Sequence, residues 1–357
     1  MGVGGTFRFT CFSFVPQRLV LSSQSGRFWP PLLRAEDELK YTSLEVCAGA
    51  GGQALGLEMA GFHHLACVEV DPDCCATLRL NRKWLVEQAD LRFLDGAPFV
   101  GKVDLFAGGL PCPPFSVAGK QLGERDERNL FPAALRLIEQ IKPRAVMIEN
   151  VKGLLGPSFE GYRASIEKGF KDLGFAVTWK LLNASDFGVP QLRPRALMVA
   201  LPEEMMDLFK WPRPLIKPAP TVGRTLMDLM AAEGWAGAQA WADVAGQIAP
   251  TLVGGSKKHG GPDLGPTRAK KAWAALGVDG MGIVDRPPAP GFEGNPRLTV
   301  RMAARLQGFP DSWQFSGKKT AAYRQVGNAF PPPVARQVSA AILKALSLHD
   351  SVISKVA

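Results

Sequence analysis

Between Ser43 and Val70 the chain reads as strand, glycine loop, helix and strand, an order that few folds accommodate. Ser43-Leu44-Glu45-Val46 is a short, mostly apolar run, and Cys47-Ala48-Gly49-Ala50-Gly51-Gly52 follows it directly. Leu55, Leu57 and Met59 then carry a helix to Gly61, and His64 to Val70 is a second strand. Glycines at such a turn let a ligand approach the backbone where the helix starts. Glu69 lies 18 residues beyond Gly51, a spacing that suits a carboxylate binding ribose hydroxyls. A surface glutamate at a strand end has the same spacing. The fold class this implies is α/β, with a mostly parallel sheet.

The pattern continues. Asp71-Pro72-Asp73 opens a helix through Ala76, Leu78 and Leu80, with Pro72 suited to its first turn. Asp90 ends a third strand, Val86 to Ala89, where it could take a hydrogen bond from an adenine amino group or cap the next turn. Val103 to Ala107 is a buried strand leading into Gly108-Gly109-Leu110-Pro111-Cys112-Pro113-Pro114-Phe115-Ser116. The glycines turn the chain, while the prolines stiffen it and remove amide donors, so Cys112 is held on a rigid, non-helical loop. Sites collect at the carboxyl ends of strands in such sheets, which favours a nucleophile over a cysteine that merely fills space.

Residues 116 to 129 are polar, with Lys120, Arg125 and Arg128 set against Glu124, Asp126 and Glu127. They suit a segment that closes over substrate, or a solvated loop. A helix from Leu130 to Ile141 and a strand, Ala145 to Ile148, precede Glu149-Asn150-Val151. A carboxylate just after four apolar residues sits at a sheet rim, where partial desolvation raises its pKa. After a helix (Tyr162 to Leu173) and a strand (Ala176 to Leu182), Gln191, Arg193 and Arg195 alternate ahead of the strand Ala196 to Leu201. In an extended chain all three share a face that could grip a base edge or phosphates, or simply carry exposed charge.

Composition narrows the function classes. The 357 residues are 46% hydrophobic and 21% charged, with a net charge of +9, which favours a polyanionic partner. No run is long enough to span a membrane. The cysteines Cys11, Cys47, Cys67, Cys74, Cys75 and Cys112 form no CxxC pair, and histidines number only four, so no structural metal is expected and a reducing cytoplasm fits. Residues 1–40 read as a poorly ordered extension without an acidic residue before Glu36. Residues 41–201 read as the catalytic and cofactor-binding domain, and residues 202–295, rich in proline and glycine, as a second, smaller domain. Residues 296–357 return to the first and end in a helix, Val334 to Leu346. In the second domain Lys257, Lys258, Arg268 and Lys270 surround Trp273, a grouping suited to a nucleic-acid groove, although charge runs are commonly just solvated.

Taken in order, CAGAGG (47–52), GLPCPPFS (109–116), ENV (149–151), QLRPR (191–195), RLTVRMAARLQGFP (297–310) and RQVGNAFPPPVA (324–335) closely resemble the bacterial cytosine-5 DNA methyltransferases, from about Tyr41 to Leu346. The resemblance implies a Rossmann-like S-adenosylmethionine-dependent fold, residues 202–295 being the target-recognition domain. It implies Cys112 as nucleophile, Glu149 contacting the ring nitrogen and amino group of a flipped-out cytosine, and Arg195 holding the base carbonyl. Arg193 and Gln191 would support that grip. Cys47, Ala48, Gly49, Gly51, Gly52, Glu69, Val70, Asp90, Leu91, Pro111, Asn328 and Ala329 would line the S-adenosylmethionine site, and Asn150 would help shape the catalytic pocket. Lys120, Arg125, Arg128, Lys257, Lys258, Arg268 and Lys270 would contact duplex DNA.

The implied setting is a cytoplasmic monomer without membrane attachment, associated with the nucleoid through DNA. It would be the modification part of a restriction-modification system whose endonuclease acts separately. Two positions depart from the family: Cys47 stands where phenylalanine is frequent, and Met302 where glutamate is. A tRNA substrate and a non-catalytic DNA-binding role are the alternatives. Cys112, Glu149 and Arg195 are all present, which argues against the second.

Overall fold

Strand positions in this chain are buried on both faces, and that sets the architecture. Leu44 and Val46, Leu105 to Ala107, and Ala145 to Ile148 have essentially no solvent exposure, the pattern of a sheet covered by helices on each side. The computed structural model describes residues 41–111, 129–255 and 261–356, together with the first two residues.

Seven strands form one sheet: β1 (Thr42–Val46), β2 (His63–Glu69), β3 (Val86–Gln88), β4 (Leu105–Gly109), β5 (Ala145–Val151), β6 (Phe175–Asn183) and β7 (Pro194–Pro202). Their order is β3-β2-β1-β4-β5-β7-β6. All neighbours are parallel except β7, which runs antiparallel to β5 and β6. The order reverses between β1 and β4, so a crevice opens beyond their carboxyl ends, the place where open α/β sheets bind ligands.

Local chemistry sets the helix ends. α1 (Gly52–Ala60) follows Gly51, whose φ of 82° is left-handed and open to glycine without strain. α2 (Pro72–Asn81) begins with Asp71 accepting the Asp73 amide at 2.9 Å and with Pro72 in the first turn. α3 (Phe131–Ile141) and α4 (Glu160–Asp172) flank β5 in sequence. A short α5 (Glu203–Met206) follows β7.

Residues 202–295 contribute α6 (Val222–Ala231), α7 (Ala238–Val244) and α8 (Thr267–Ala274); α9 (Val300–Leu306), α10 (Lys319–Asn328) and α11 (Pro332–Val356) complete the chain. α11 continues well past the expected end at Leu346.

The expected boundary at residue 295 marks a change in sequence pattern, not a gap between cores. Val222, Trp241 and Trp273 share one apolar cluster with Leu298, Leu306, Trp313 and Tyr323, and even with Leu55 of α1. The described residues from 41 to 356 fall in one compact unit. A second cluster packs Leu105, Met147 and Val199 from the sheet against Leu57 of α1 and Val338 and Ile342 of α11. Among the described residues, no helix is long and apolar enough to cross a membrane.

Candidate active site

β4 and β5 bring the first chemistry-bearing residues together. Gly109 pairs with Glu149 in register, and a side chain at Gly109 would put its Cβ 3.3 Å from Glu149 Oε2. The carboxyl group therefore hangs over the last residues before Leu110 and Pro111. Asn150, fully buried, donates from Nδ2 to the Leu110 carbonyl at 3.0 Å and accepts the Val151 amide at 2.8 Å. It thereby fixes the backbone from which Pro111 leaves. Pro111 is exposed. Cys112 itself lies outside the described residues, as do Lys120, Arg125 and Arg128.

Across the sheet, Arg195 lies opposite Val151, so it is diagonal to Glu149 on the same face. Its Nε is 2.7 Å from Glu149 Oε1, with both side chains largely buried. Burial pushes the Glu149 carboxyl above its ordinary range, and the Arg195 and then the Arg193 charges oppose that rise. The result is a desolvated carboxyl held in place by a guanidinium, able to donate or accept a proton at a sheet rim.

Gln191 and Arg193 correct the expectation of an open row of three. Residues 191–193 lie ahead of β7, which begins at Pro194, and the side chains at 191 and 193 are 0% and 1% exposed. Gln191 Nε2 donates to the Leu306 carbonyl at 3.2 Å and to Gln307 Oε1 at 2.6 Å. Arg193 donates to the carbonyls of Leu252 (2.8 Å), Gly327 (2.7 Å) and Ala329 (3.1 Å). Period-two alternation could not reveal that the interior claims this face.

The glycine loop beyond β1 has its own geometry. Cys47 (φ 51°) and Gly49 (φ 54°) are both left-handed. Ala48 donates to the Val68 carbonyl at 3.1 Å. Glu69 accepts the Gly49 amide at 2.7 Å on Oε2, and on Oε1 the amides of Val70 and Asp71 at 2.9 and 2.8 Å. Trp313 Nε1 donates to the Ala50 carbonyl at 3.2 Å, holding the loop from the returning segment.

Asp90 takes the capping role: it accepts the Arg92 amide at 2.9 Å and pairs with the Arg92 guanidinium at 2.6 Å. That bond holds its carboxyl below the usual range. Val70 is exposed at the end of β2, while Ala48, Gly52, Leu91 and Ala329 are buried. Asn328, exposed, donates from Nδ2 to the Gly255 carbonyl at 3.2 Å.

A polar ligand fits this loop. Nothing stands within 4 Å of where a Cβ on Gly49 would project. At the two roots of the loop, Gln53 (4% exposed) buries its side-chain oxygen and amide nitrogen without hydrogen-bond partners, and Glu45 (1% exposed) buries a carboxyl beside the Ala54 backbone. Buried groups left so are costly. Sequence reasoning passed over both; the signal was a glutamate set among apolar residues in β1.

The basic cluster divides. Trp273 is wholly buried, so it cannot stack on a base, which corrects its expected place beside the charges. Lys270 pairs with Asp263 at 2.8 Å, Arg268 is exposed, and Lys257 and Lys258 lie outside the described residues.

The model of the C-5 cytosine-specific DNA methylase family matches residues 41–344. The chain belongs to that family. This methylase is 57% identical over 313 residues to the type II methyltransferase M.NaeI of Lentzea aerocolonigenes, covering 86% of this chain and 75% of that one. It is 55% identical over 316 residues to M.NgoMIV of Neisseria gonorrhoeae, covering 87% of this chain and all of the other. Among solved structures, the Entamoeba histolytica methyltransferase EhMeth superposes with a TM-score of 0.61 at 16% identity, over 86% of the methylase and 98% of its own chain. A Spodoptera frugiperda DNMT2 does so with a TM-score of 0.58 at 18% identity, over 86% and 99%. These likenesses agree with the α/β methyltransferase fold that the sequence implied.

Proposed function

We propose that the methylase modifies C5 of a flipped-out cytosine within a specific duplex DNA site, using Cys112 as nucleophile, Glu149 as proton donor and Arg195 as anchor of the base carbonyl. The observation that carries this is the Glu149–Arg195 pair, 2.7 Å apart and desolvated, over the backbone that leads through Pro111 to Cys112. The Cys112 thiolate would add to C6 while Glu149 passes a proton to the ring nitrogen, leaving C5 rich in electrons. After C5 is methylated, loss of its proton and expulsion of the thiolate restore the ring. Flipping the base out costs roughly a few kcal/mol, which basic side chains contacting the DNA backbone would offset.

S-adenosylmethionine, when bound, supplies an electrophilic methyl group. Gly49, Gly51, Gly52, Glu69, Val70, Asp90, Leu91, Pro111, Asn328 and Ala329, with Cys47 and Ala48, would hold it. Gln53 adds an unsatisfied amide, and Glu45 a buried carboxyl, at the roots of the loop. Residues 202–295 would recognise the target, with Arg268 and Lys270 among their basic residues. The type II methyltransferases that this chain is similar to support a place in a restriction-modification system, beside a separate endonuclease. The enzyme would act in the cytoplasm as a monomer.

The test is methyl transfer from a labelled donor to duplex DNA and to tRNA, followed by nucleoside analysis. The expected product is 5-methyl-2′-deoxycytidine, lost in Cys112→Ser. Label in tRNA alone, or full activity of that variant, would overturn the reading.

A further inference from the structure

Arg193 carries a guanidinium that is 1% exposed, and among the described residues no carboxylate forms an ion pair with it. Carbonyls surround it instead. Gly327 lies in the last turn of α10 and Ala329 just beyond it, where carbonyls lack helical donors and carry the negative end of the helix dipole. The third carbonyl is that of Leu252, from the segment that follows α7. One side chain thus caps a helix and ties down a distant strand of backbone.

The same junction is stitched at other points. Gln191 Oε1 accepts the Leu252 amide at 2.9 Å, and Thr251 Oγ1 donates to the Leu192 carbonyl at 2.5 Å. Leu192 donates to the Ala249 carbonyl at 2.8 Å, and Ala249 to that of Pro190 at 3.0 Å. Gly254 lies so close to α10 that a Cβ there would come within 2.5 Å of the Arg324 carbonyl and of Asn328 Oδ1. Residues 249–255, the end of α10 and the entry to β7 are thereby locked in one register, two residues from Arg195.

We propose that Arg193 is a positioning residue for DNA engagement: through the Leu252 carbonyl and the end of α10 it ties the segment after α7 to the start of β7, and touches neither substrate. The proposal rests on the DNA-methylation reading above. Lysine at 193 keeps the charge but lacks the planar fork, so it satisfies fewer of the three carbonyls at once. Losing charged hydrogen bonds of this kind is worth roughly tenfold or more in an equilibrium. The segment should loosen while the chemistry beside it survives.

The experiment compares wild type, Arg193→Lys and Gly254→Ala. Gly254→Ala crowds the same segment against the Arg324 carbonyl and Asn328 of α10 while leaving the Arg193 side chain itself unchanged. Each is assayed for methyl transfer to duplex DNA and for hydrogen exchange in the free enzyme. Both variants should raise the KM for duplex about tenfold, with the single-turnover rate at saturating DNA and S-adenosylmethionine within about threefold of wild type. Amide exchange at Leu252 and Ala329 should speed up in both. A collapsed single-turnover rate with unchanged KM and exchange would mean that Arg193 touches the base, and would overturn the proposal. If wild type methylates no duplex, the activity reading fails on its own, and the exchange data still decide whether Arg193 holds the segment.

Discussion

Glu149 owes its acid–base character to two opposed influences. Burial raises its pKa, and Arg195 at 2.7 Å, with Arg193 behind it, pulls it back. If Glu149 donates a proton to the ring, activity falls as pH climbs through that pKa. Replacing Arg195 by Gln removes the larger opposing charge, so the pKa rises further. The descending limb of kcat/KM should move to higher pH, whatever the residual activity; a limb that moves down would contradict the assignment.

Glu45 presents a simpler case, because burial dominates and holds its carboxyl well above the usual value. A raised carboxyl favours folding while protonated. Its contribution is complete below the unfolded pKa of about 4.3 and is lost as pH rises through the folded value. In donor-free enzyme, the stability of Glu45→Gln relative to wild type should therefore grow between pH 5 and pH 8, measured by denaturant midpoint. A difference that is flat with pH would contradict this.

The elements were legible where periodicity and turn chemistry agree. β1, α1, β2 and α2 follow directly from Ser43 to Leu80, and β4, β5 and β7 from their unbroken apolar runs. α6, α7, α8 and α10 were not legible, because their apolar positions face a cluster assembled from distant segments. α10 mixes Tyr323 and Val326 with Gln325 and Gly327, all buried against neighbours that local patterning does not specify. The site divides along the same line. Glu149 and Asn150 were readable because they end a strand, whereas the roles of Gln191 and Arg193 depend on residues 249–255 and 306–329.

Contact between α1 and α11 supplies a test at this scale. A Cβ on Gly56 would press on the Ala335 side chain and come within 2.7 Å of the Pro332 carbonyl. Ala favours a helix over Gly by about 1 kcal/mol, while overpacking costs about 1–3 kcal/mol. Gly56→Ala should therefore destabilise the enzyme, by up to about 2 kcal/mol in denaturant titrations; a stabilised variant would show that α11 yields.

Across the whole molecule, one sheet organises two kinds of recognition. On the proposed reading, the loop beyond β1 would cradle the donor, and the rims of β4, β5 and β7 hold the groups that would work on the base. Apolar side chains from Val222 to Trp241 and from Leu264 to Ile283 share their core with the returning segment, so target recognition and cofactor binding would rest on one packed core. The net charge of +9 suits the proposed substrate. The central claim is a transient bond between Cys112 and C6 of cytosine, and trapping it is the most direct measurement. Duplex DNA carrying 5-fluorocytosine at the target, incubated with enzyme and S-adenosylmethionine, should yield a stable adduct that peptide mass spectrometry assigns to Cys112. Methylation of ordinary duplex with no adduct on the fluorinated one, or an adduct on another residue, would contradict the account.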